Sequence, residues 1–488
     1  MIRLPSSLLA LVLWLSPSEL VSAAPAEELW YDFNFHGSKV GFLQAIDEPT
    51  TWAGKPALHF RRHSVITVRR AAEVIRMESD TDAWSDTEGH PLHFVHVRDE
   101  GGAKRHVEGT VDGGMMVIKS NVGGTLGESK VPIGEGVYFS SGLDWLLKRD
   151  LKLGKKASGK ALIEEDGVVQ PFTAEVTGTK DVEQGKAFVL KSVVAGIESE
   201  DWVLAGGKTV RTSAARMGAE YVLTTREKAM AVLSLTDIFT ATELHTHVIL
   251  PKTERLDDLT VLLTGRSGRP PRPIADERQI VQSTKGGQVQ LKVLAQSPPT
   301  KSEKLPNKNP KLARYLSATQ YEALSDDRIV STARDVVAGA TDAWTAARRI
   351  NAFVHKRIEK KSLAQAFSTA IEALESKEGD CTEHAVLFSA LAKAAGIPTR
   401  LITGIVYVGT NEGTFGYHEW VEVSIGGVWI AMDPTFGEDL ASPAHVKFSQ
   451  GLSDPDGLRD AGLVAAELFG DLDLGIVGYT VDGKKTTL

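Results

Sequence analysis

In a chain of 488 residues the single cysteine is the first place to look for chemistry. Cys381 follows Glu378-Gly379-Asp380 and leads into Ala385, Val386, Leu387, Leu391 and Ala394, apolar residues at helical spacing that end at Gly396 and Pro398. The thiol therefore stands at the first turn of an expected buried helix, with Asp380 as its N-cap. Free backbone N–H groups and the helix dipole favour an anion there. They favour thiolate over thiol, and the same N–H groups can serve an oxyanion. A lone cysteine has no disulfide to form within its chain, so the plain alternative is a buried, inert thiol.

Partners for a thiolate come from a hairpin downstream. Tyr417 to Ile425 alternates, Gly426-Gly427 offers a two-residue turn, and Val428 to Met432 returns. Ile425 then faces Val428, and counting back along the ladder sets Asp433 opposite Trp420. His418 shares a face with Trp420 and lies diagonal to Asp433, with Cβ atoms roughly 7–8 Å apart or less. A slip of one residue would turn Asp433 to the other face. In this register Cys381, His418 and Asp433 have the roles that nucleophilic acyl chemistry requires. The thiolate attacks an acyl carbon, the imidazole shuttles the proton, and the carboxylate fixes the tautomer and stabilises the cation.

The elements that must position these residues read as two kinds. From about Leu29 to Leu294 short alternating segments such as His63–Val68, Leu92–Val97, Met115–Lys119 and Tyr221–Thr225 are broken by Gly, Asp and Asn. Asp112-Gly-Gly and Asp166-Gly are hairpin signals between such segments. The expectation is a mostly antiparallel β region, one long curved sheet or two smaller ones, with helical content near Gly142 to Asp150. The stretch 297–310 carries four prolines and reads as a linker or extended connection. Beyond it helices are expected at Asp326–Ala338, Ala343–Ile358 and Leu363–Leu374, and a strand at Arg400–Val408. The expected division is a signal peptide at 1–23, a β-rich domain at 24–232, a second β segment or continuation at 233–297, a linker at 298–310 and a catalytic α+β domain at 311–488.

Four segments in this order carry a resemblance. Gly379-Asp-Cys-Thr-Glu-His-Ala385, Ala395-Gly-Ile-Pro-Thr-Arg400, His418-Glu-Trp-Val-Glu-Val423 and Trp429-Ile-Ala-Met-Asp-Pro-Thr435 resemble the core motifs of the transglutaminase-like superfamily. The likeness covers about 340–450; Ala444-His-Val-Lys-Phe448 also looks like a segment of bacterial members, a closing strand. The resemblance implies a papain-like α+β core and carries the nucleophile, base and orienting carboxylate onto Cys381, His418 and Asp433. It implies attack on the amide bonds of proteins or peptides through an acyl-enzyme, cleared by an amine or by water, and no cofactor. The calcium sites of the animal cross-linking members have no match here. The rival reading is an inert envelope protein that binds or scaffolds.

The N-terminus reads as an address. Arg3, the apolar run Leu8–Leu15 and Val21-Ser22-Ala23 form a signal-peptide pattern with Ala24 as the mature start, so the protein is expected to be periplasmic or secreted, without a stable membrane span. A net charge of −8 without a basic block speaks against nucleic acid. Other candidates have simpler readings. His93 and His96 point to opposite faces of one strand, His245 and His247 share a face without a third ligand, and His384 completes only half a metal site. Trp344 reads as a core aromatic, and Lys356, Arg357, Lys360 and Lys361 as a solvated helix end.

Overall fold

The computed structural model describes residues 27–70, 73–149, 151–231, 243–360, 368–409 and 411–488. The expected signal peptide, the start of the Leu363–Leu374 helix and Lys361 lie outside these residues. The chain is α+β, a β-rich N-terminal region followed by a smaller mixed unit.

Alternation and glycine turns build the first region. Strands β1 to β8 occupy Glu27–Phe35, Ser38–Trp52, Lys55–Arg70, Glu73–Asp86, Pro91–Glu100, Ala103–Asp112, Met115–Val122 and Thr125–Pro132. A short helix α1 (Leu143–Lys148) follows β9 (Val137–Phe139), as the sequence led us to expect. Then β10 to β15 occupy Lys156–Ile163, Val168–Val182, Gly185–Val194, Ile197–Leu204, Thr209–Ala214 and Ala219–Thr224. All fifteen form one sheet in which β1 pairs with both β2 and β15. The Asp112–Met115 turn has φ of 57° at Gly113 and 80° at Gly114, a two-residue geometry that penalises a Cβ. The sheet curls until its ends meet. Phe94 and Met116 from one arm share a core with Phe139 and Leu162 from the other.

The second unit holds two five-stranded sheets. One is ordered β16 (Leu244–His245), β21 (Thr414–Ile425), β20 (Thr399–Tyr407), β23 (His445–Gly451), with β22 (Val428–Met432) also paired to β21. The other is ordered β18 (Gln279–Lys285), β19 (Gln288–Leu294), β17 (Leu256–Gly265), β24 (Leu472–Val481), β25 (Lys484–Thr487). Residues 256–294, within the stretch set apart in the sequence, thus share a sheet with the C-terminal strands. The reason is apolar: Leu259, Val261 and Leu291 pack with Ile405, Val446 and Leu468 in one core. The proline-rich stretch is laid down as an extended connection. Ser302 Oγ donates to Asp342 at 2.8 Å, and Glu303 accepts from Gly426 N at 2.7 Å.

After a single helical turn α2 (Arg226–Ala229), helices α3 (Asp327–Val336), α4 (Ala343–Arg357), α5 (Ala370–Ser376) and α6 (Cys381–Ala394) surround the first of these sheets, and α7 (Pro455–Asp471) follows β23. α6 is buried from Cys381 through Lys393, which is why its sequence carries no polar stripe. Its Ala385 and Phe388 pack with Val421, Val423 and Ile425 of β21 and Ile350 of α4. The N-terminal sheet docks beside them. Val122 of β7 joins this core, and Gln320 donates to Ser120.

Candidate active site

Local sequence makes a rigid start for α6. The Asp380 carboxylate accepts from Thr382 N at 2.8 Å, and the Glu383 carboxyl group accepts from Asp380 N and from Ser368 N, each at 2.8 Å. This reciprocal capping satisfies donors that a buried helix end would otherwise leave bare. It also explains Gly379. A Cβ there would stand 2.4 Å from Glu383 Cβ, so any side chain would push the cap away. Cys381 is 8% exposed at the first turn.

The hairpin has the register that its Gly-Gly turn implies, with Ile425 opposite Val428 and Val421 opposite Met432. His418 Nε2 lies 2.7 Å from Asp433 Oδ2, and both residues are buried. Asp433 is held on its other oxygen by Thr435 N at 2.7 Å and Phe436 N at 3.2 Å. Burial alone would raise its pKa. The His418 charge and the hydrogen bonds from His418 and His445 outweigh that and hold the carboxyl group well below the usual carboxylate range. The His418 ring is stacked on Phe436 at 5.0 Å between centroids and 9° between planes, and on Trp420 at 6.1 Å and 19°. Two aromatic faces thus fix the imidazole plane.

The start of α6 meets β21 through the residues on either side of His418. Tyr417 is raised well above its ordinary pKa by burial, then by the charges of Glu419 and Cys381. Glu419 is raised well above the carboxylate range by burial, then by Asp380 and Glu383. Glu383 is itself pushed up to about 8 by burial and Asp380. The thiol and the carboxyl groups of Asp380, Glu383 and Glu419 therefore share one neighbourhood beside Tyr417, in which two of the acids are held toward their neutral forms. A negative charge on each would oppose a thiolate.

Glu419 gives a stability prediction. It is 2% exposed, and its Oε1 has no hydrogen-bond partner. Its folded pKa stands above an unfolded value of about 4.3. The associated stability is therefore fully present below that value and lost as pH rises through the folded pKa. Thermal melting of wild type should drop more between pH 5 and pH 9 than melting of Glu419→Gln. Equal drops would contradict a buried neutral acid at this position.

The sequence reading passed over two residues here. His445 Nε2 also bonds Asp433 Oδ2, at 2.9 Å, from a strand that reaches the site across β20. Phe436, 41% exposed, covers the imidazole. The signal for His445 was the Ala444–Phe448 segment, read only as a closing strand.

The other histidines stay apart. His93 stacks with Trp52, while His96 is buried and bonded to Thr81 at 2.8 Å. His245 bonds Thr414 at 3.1 Å. His384 is buried on α6, with its Nδ1 2.5 Å from Asp380 O. Trp344 packs against the core as expected. Of the basic run, Lys356 and Lys360 are exposed, Lys360 in a surface pair with Glu378 at 3.1 Å, while Arg357 is half-buried and donates to Leu374 O at 2.8 Å. Among the described residues, the side chains grouped closely enough to hold a cation are His418, Asp433 and His445, and His63, Glu78 and Asp80. The contacts within the first group are hydrogen-bond lengths.

A helix that opens on a cysteine, packed on an antiparallel sheet that carries a buried His–Asp pair, defines a papain-like α+β unit. Residues 330–434 match the family model described as transglutaminase-like superfamily, and the chain carries a domain of that superfamily. Solved structures to which the chain is similar include a candidate cysteine protease from Cytophaga hutchinsonii, 16% identical over 50% of this chain and 85% of that one, with a TM-score of 0.31. Another is a β-barrel-like protein from Brucella abortus, of a domain of unknown function, 12% identical over 41% and 96%, with a TM-score of 0.30. A third is the periplasmic domain of TgpA from Pseudomonas aeruginosa bound to ethylmercury, 16% identical over 40% and 89%, with a TM-score of 0.27. Likenesses this distant carry no argument about this chain. No curated protein matches it.

Proposed function

We propose that this protein is an exported thiol enzyme that attacks amide bonds of proteins or peptides through an acyl-enzyme on Cys381, in transglutaminase-like acyl transfer. His418 is the base and Asp433 its orienting carboxylate. The single observation that carries the reading is the buried His418–Asp433 bond of 2.7 Å, on a strand whose flanking residues interact electrostatically with Cys381 and its cap. His418 commits Nε2 to Asp433, which leaves Nδ1 for the thiol proton. The imidazolium–thiolate pair so formed attacks the amide carbonyl. The leaving amine takes the proton from His418, and an incoming amine or water then clears the thioester.

Export is supported by the signal-peptide pattern at residues 1–23, and among the described residues no helix is long and apolar enough to cross a membrane. Mass spectrometry of a glutamine-containing peptide, incubated with and without a small primary amine, tests the reaction. The expected product carries the amine in amide linkage and depends on Cys381. Cleaved or deamidated peptide in both arms would assign the step to hydrolysis. No product in either arm, with Cys381 alkylated no faster than a free thiol, would favour the inert scaffold.

A further inference from the structure

We propose that His445 is a positioning residue for the His418–Asp433 pair, its Nε2–H occupying Asp433 Oδ2 and setting how strongly that oxygen holds the His418 imidazolium. The inference rests on the reading of His418 as the base. Asp433 Oδ1 takes two backbone N–H groups, and Oδ2 lies 2.7 Å from His418 Nε2 and 2.9 Å from His445 Nε2. An ionised carboxylate only accepts hydrogen bonds. Each nitrogen facing it must therefore carry a proton. A zinc ion in their place would hold such donors at about 2.0–2.2 Å from itself, which spreads them to roughly 3.3 Å from one another. The observed separations fit protons.

The far side of His445 fixes its tautomer. Nδ1 lies 3.1 Å from Ser442 O and 3.3 Å from Ser442 Oγ. Ser442 O already accepts from the buried Arg278 guanidinium at 2.5 Å and from His445 N at 3.1 Å, which takes up its two lone pairs, and Arg278 also donates to His445 O at 3.2 Å. The hydroxyl is then the partner that donates to Nδ1, and the ring's proton stays on Nε2, aimed at Asp433. His445 is fully buried, and its ring meets Trp420 at 5.2 Å and 75°, so it cannot turn away without disturbing a core aromatic. The other charged groups beside the pair are Arg278 and Glu438, which accepts from Ser442 N at 2.8 Å; Tyr417 and Glu419 adjoin His418 along β21, where they interact with Cys381 and Asp380.

The consequence is electrostatic. Two N–H donors share one carboxylate oxygen, so each feels a partly neutralised charge. Without the His445 donor, Asp433 would grip the His418 imidazolium more tightly, and His418 would stay protonated to a higher pH. Such an enzyme would release its proton to the leaving group less readily. His445 thus tempers the base without touching the substrate.

The test is a histidine-ring NMR titration in Cys381→Ala protein, which removes the thiol from the equilibrium. In His445→Phe, which keeps a ring but no donor, the His418 midpoint should rise by about one pH unit. In His445→Gln, whose amide can donate to Asp433, it should return toward the parent. Ser442→Ala, which frees the Nδ1 side, should give a smaller rise and serves if the phenylalanine variant does not fold. An unchanged midpoint in His445→Phe or in Ser442→Ala, or an equal rise in His445→Gln, overturns the proposal. The titration needs no substrate. If it behaves as expected while Cys381 alkylation proves independent of His418, the positioning role stands and the enzyme reading fails.

Discussion

In His418→Ala, alkylation of Cys381 by iodoacetamide near neutral pH should slow to the rate of an ordinary free thiol, and turnover should fall on the order of 10³–10⁴-fold. In the proposed mechanism the imidazole takes the thiol proton, and the rings packed on it cannot replace it: Trp420 and Phe436 are apolar planes against the imidazole. Asp433→Asn should be nearly as damaging by a different route. An asparagine that keeps its oxygen on Thr435 N and Phe436 N must turn its NH₂ toward His418 Nε2. The ring proton then moves to Nδ1, the nitrogen needed for the thiol. Because the three groups act as one unit, Cys381→Ala combined with His418→Ala should be no worse than Cys381→Ala alone. Alkylation that ignores both substitutions would show that Cys381 is only a buried helix-start thiol.

The largest stability effect is expected at the other end of the same helix. Lys393 Nζ lies 2.7 and 2.8 Å from the two oxygens of Glu322, Ser389 donates to the same carboxylate at 2.7 Å, and both charged side chains are fully buried. Removing one member leaves the other charge unpaired in a medium that cannot solvate it, a cost of about 3–5 kcal/mol. Replacing both by apolar residues of similar size removes the desolvation cost together with the attraction. Lys393→Met alone should therefore lower the melting temperature of the C-terminal unit by on the order of 10 °C, while Lys393→Met with Glu322→Leu should recover most of the loss. If the double variant is as unstable as the single, the pair is a net stabiliser beyond its own desolvation. The pair ties α6 to the segment before α3, so the loss should appear in melting rather than in the alkylation rate of the protein that remains folded.

Much of the site was legible in the sequence because it is written in short-range geometry. A period of 3.6 ending at Gly396 marked α6, Asp380 marked its start, and the Gly426-Gly427 turn fixed a register that leaves one face for His418 and Asp433. The transglutaminase-like motifs lie in those same segments, so the domain could be recognised without its tertiary structure. Each of these features follows from residues close together in the chain, where local sterics and alternation allow few alternatives.

What the tertiary structure decided lies between segments far apart. His445 meets Asp433 because β23 pairs with β20 on the far side from β21, and no periodicity states which strand will be that neighbour. Arg278 reaches Ser442 only because β17, β18 and β19 fold against the sheet that carries His418, with the C-terminal strands returning to pair beside β17. The raised pKa values of Glu383 and Glu419 arise from burial against other acids, which only packing creates. Non-local pairings are chosen by which apolar faces can be buried together, at a loop-closure cost that rises slowly with separation. The sequence by itself therefore determined that Cys381 opens a helix and that His418 and Asp433 share a face. Packing alone decided that a second histidine holds the same carboxylate and that Glu383 and Glu419 are held toward their neutral forms.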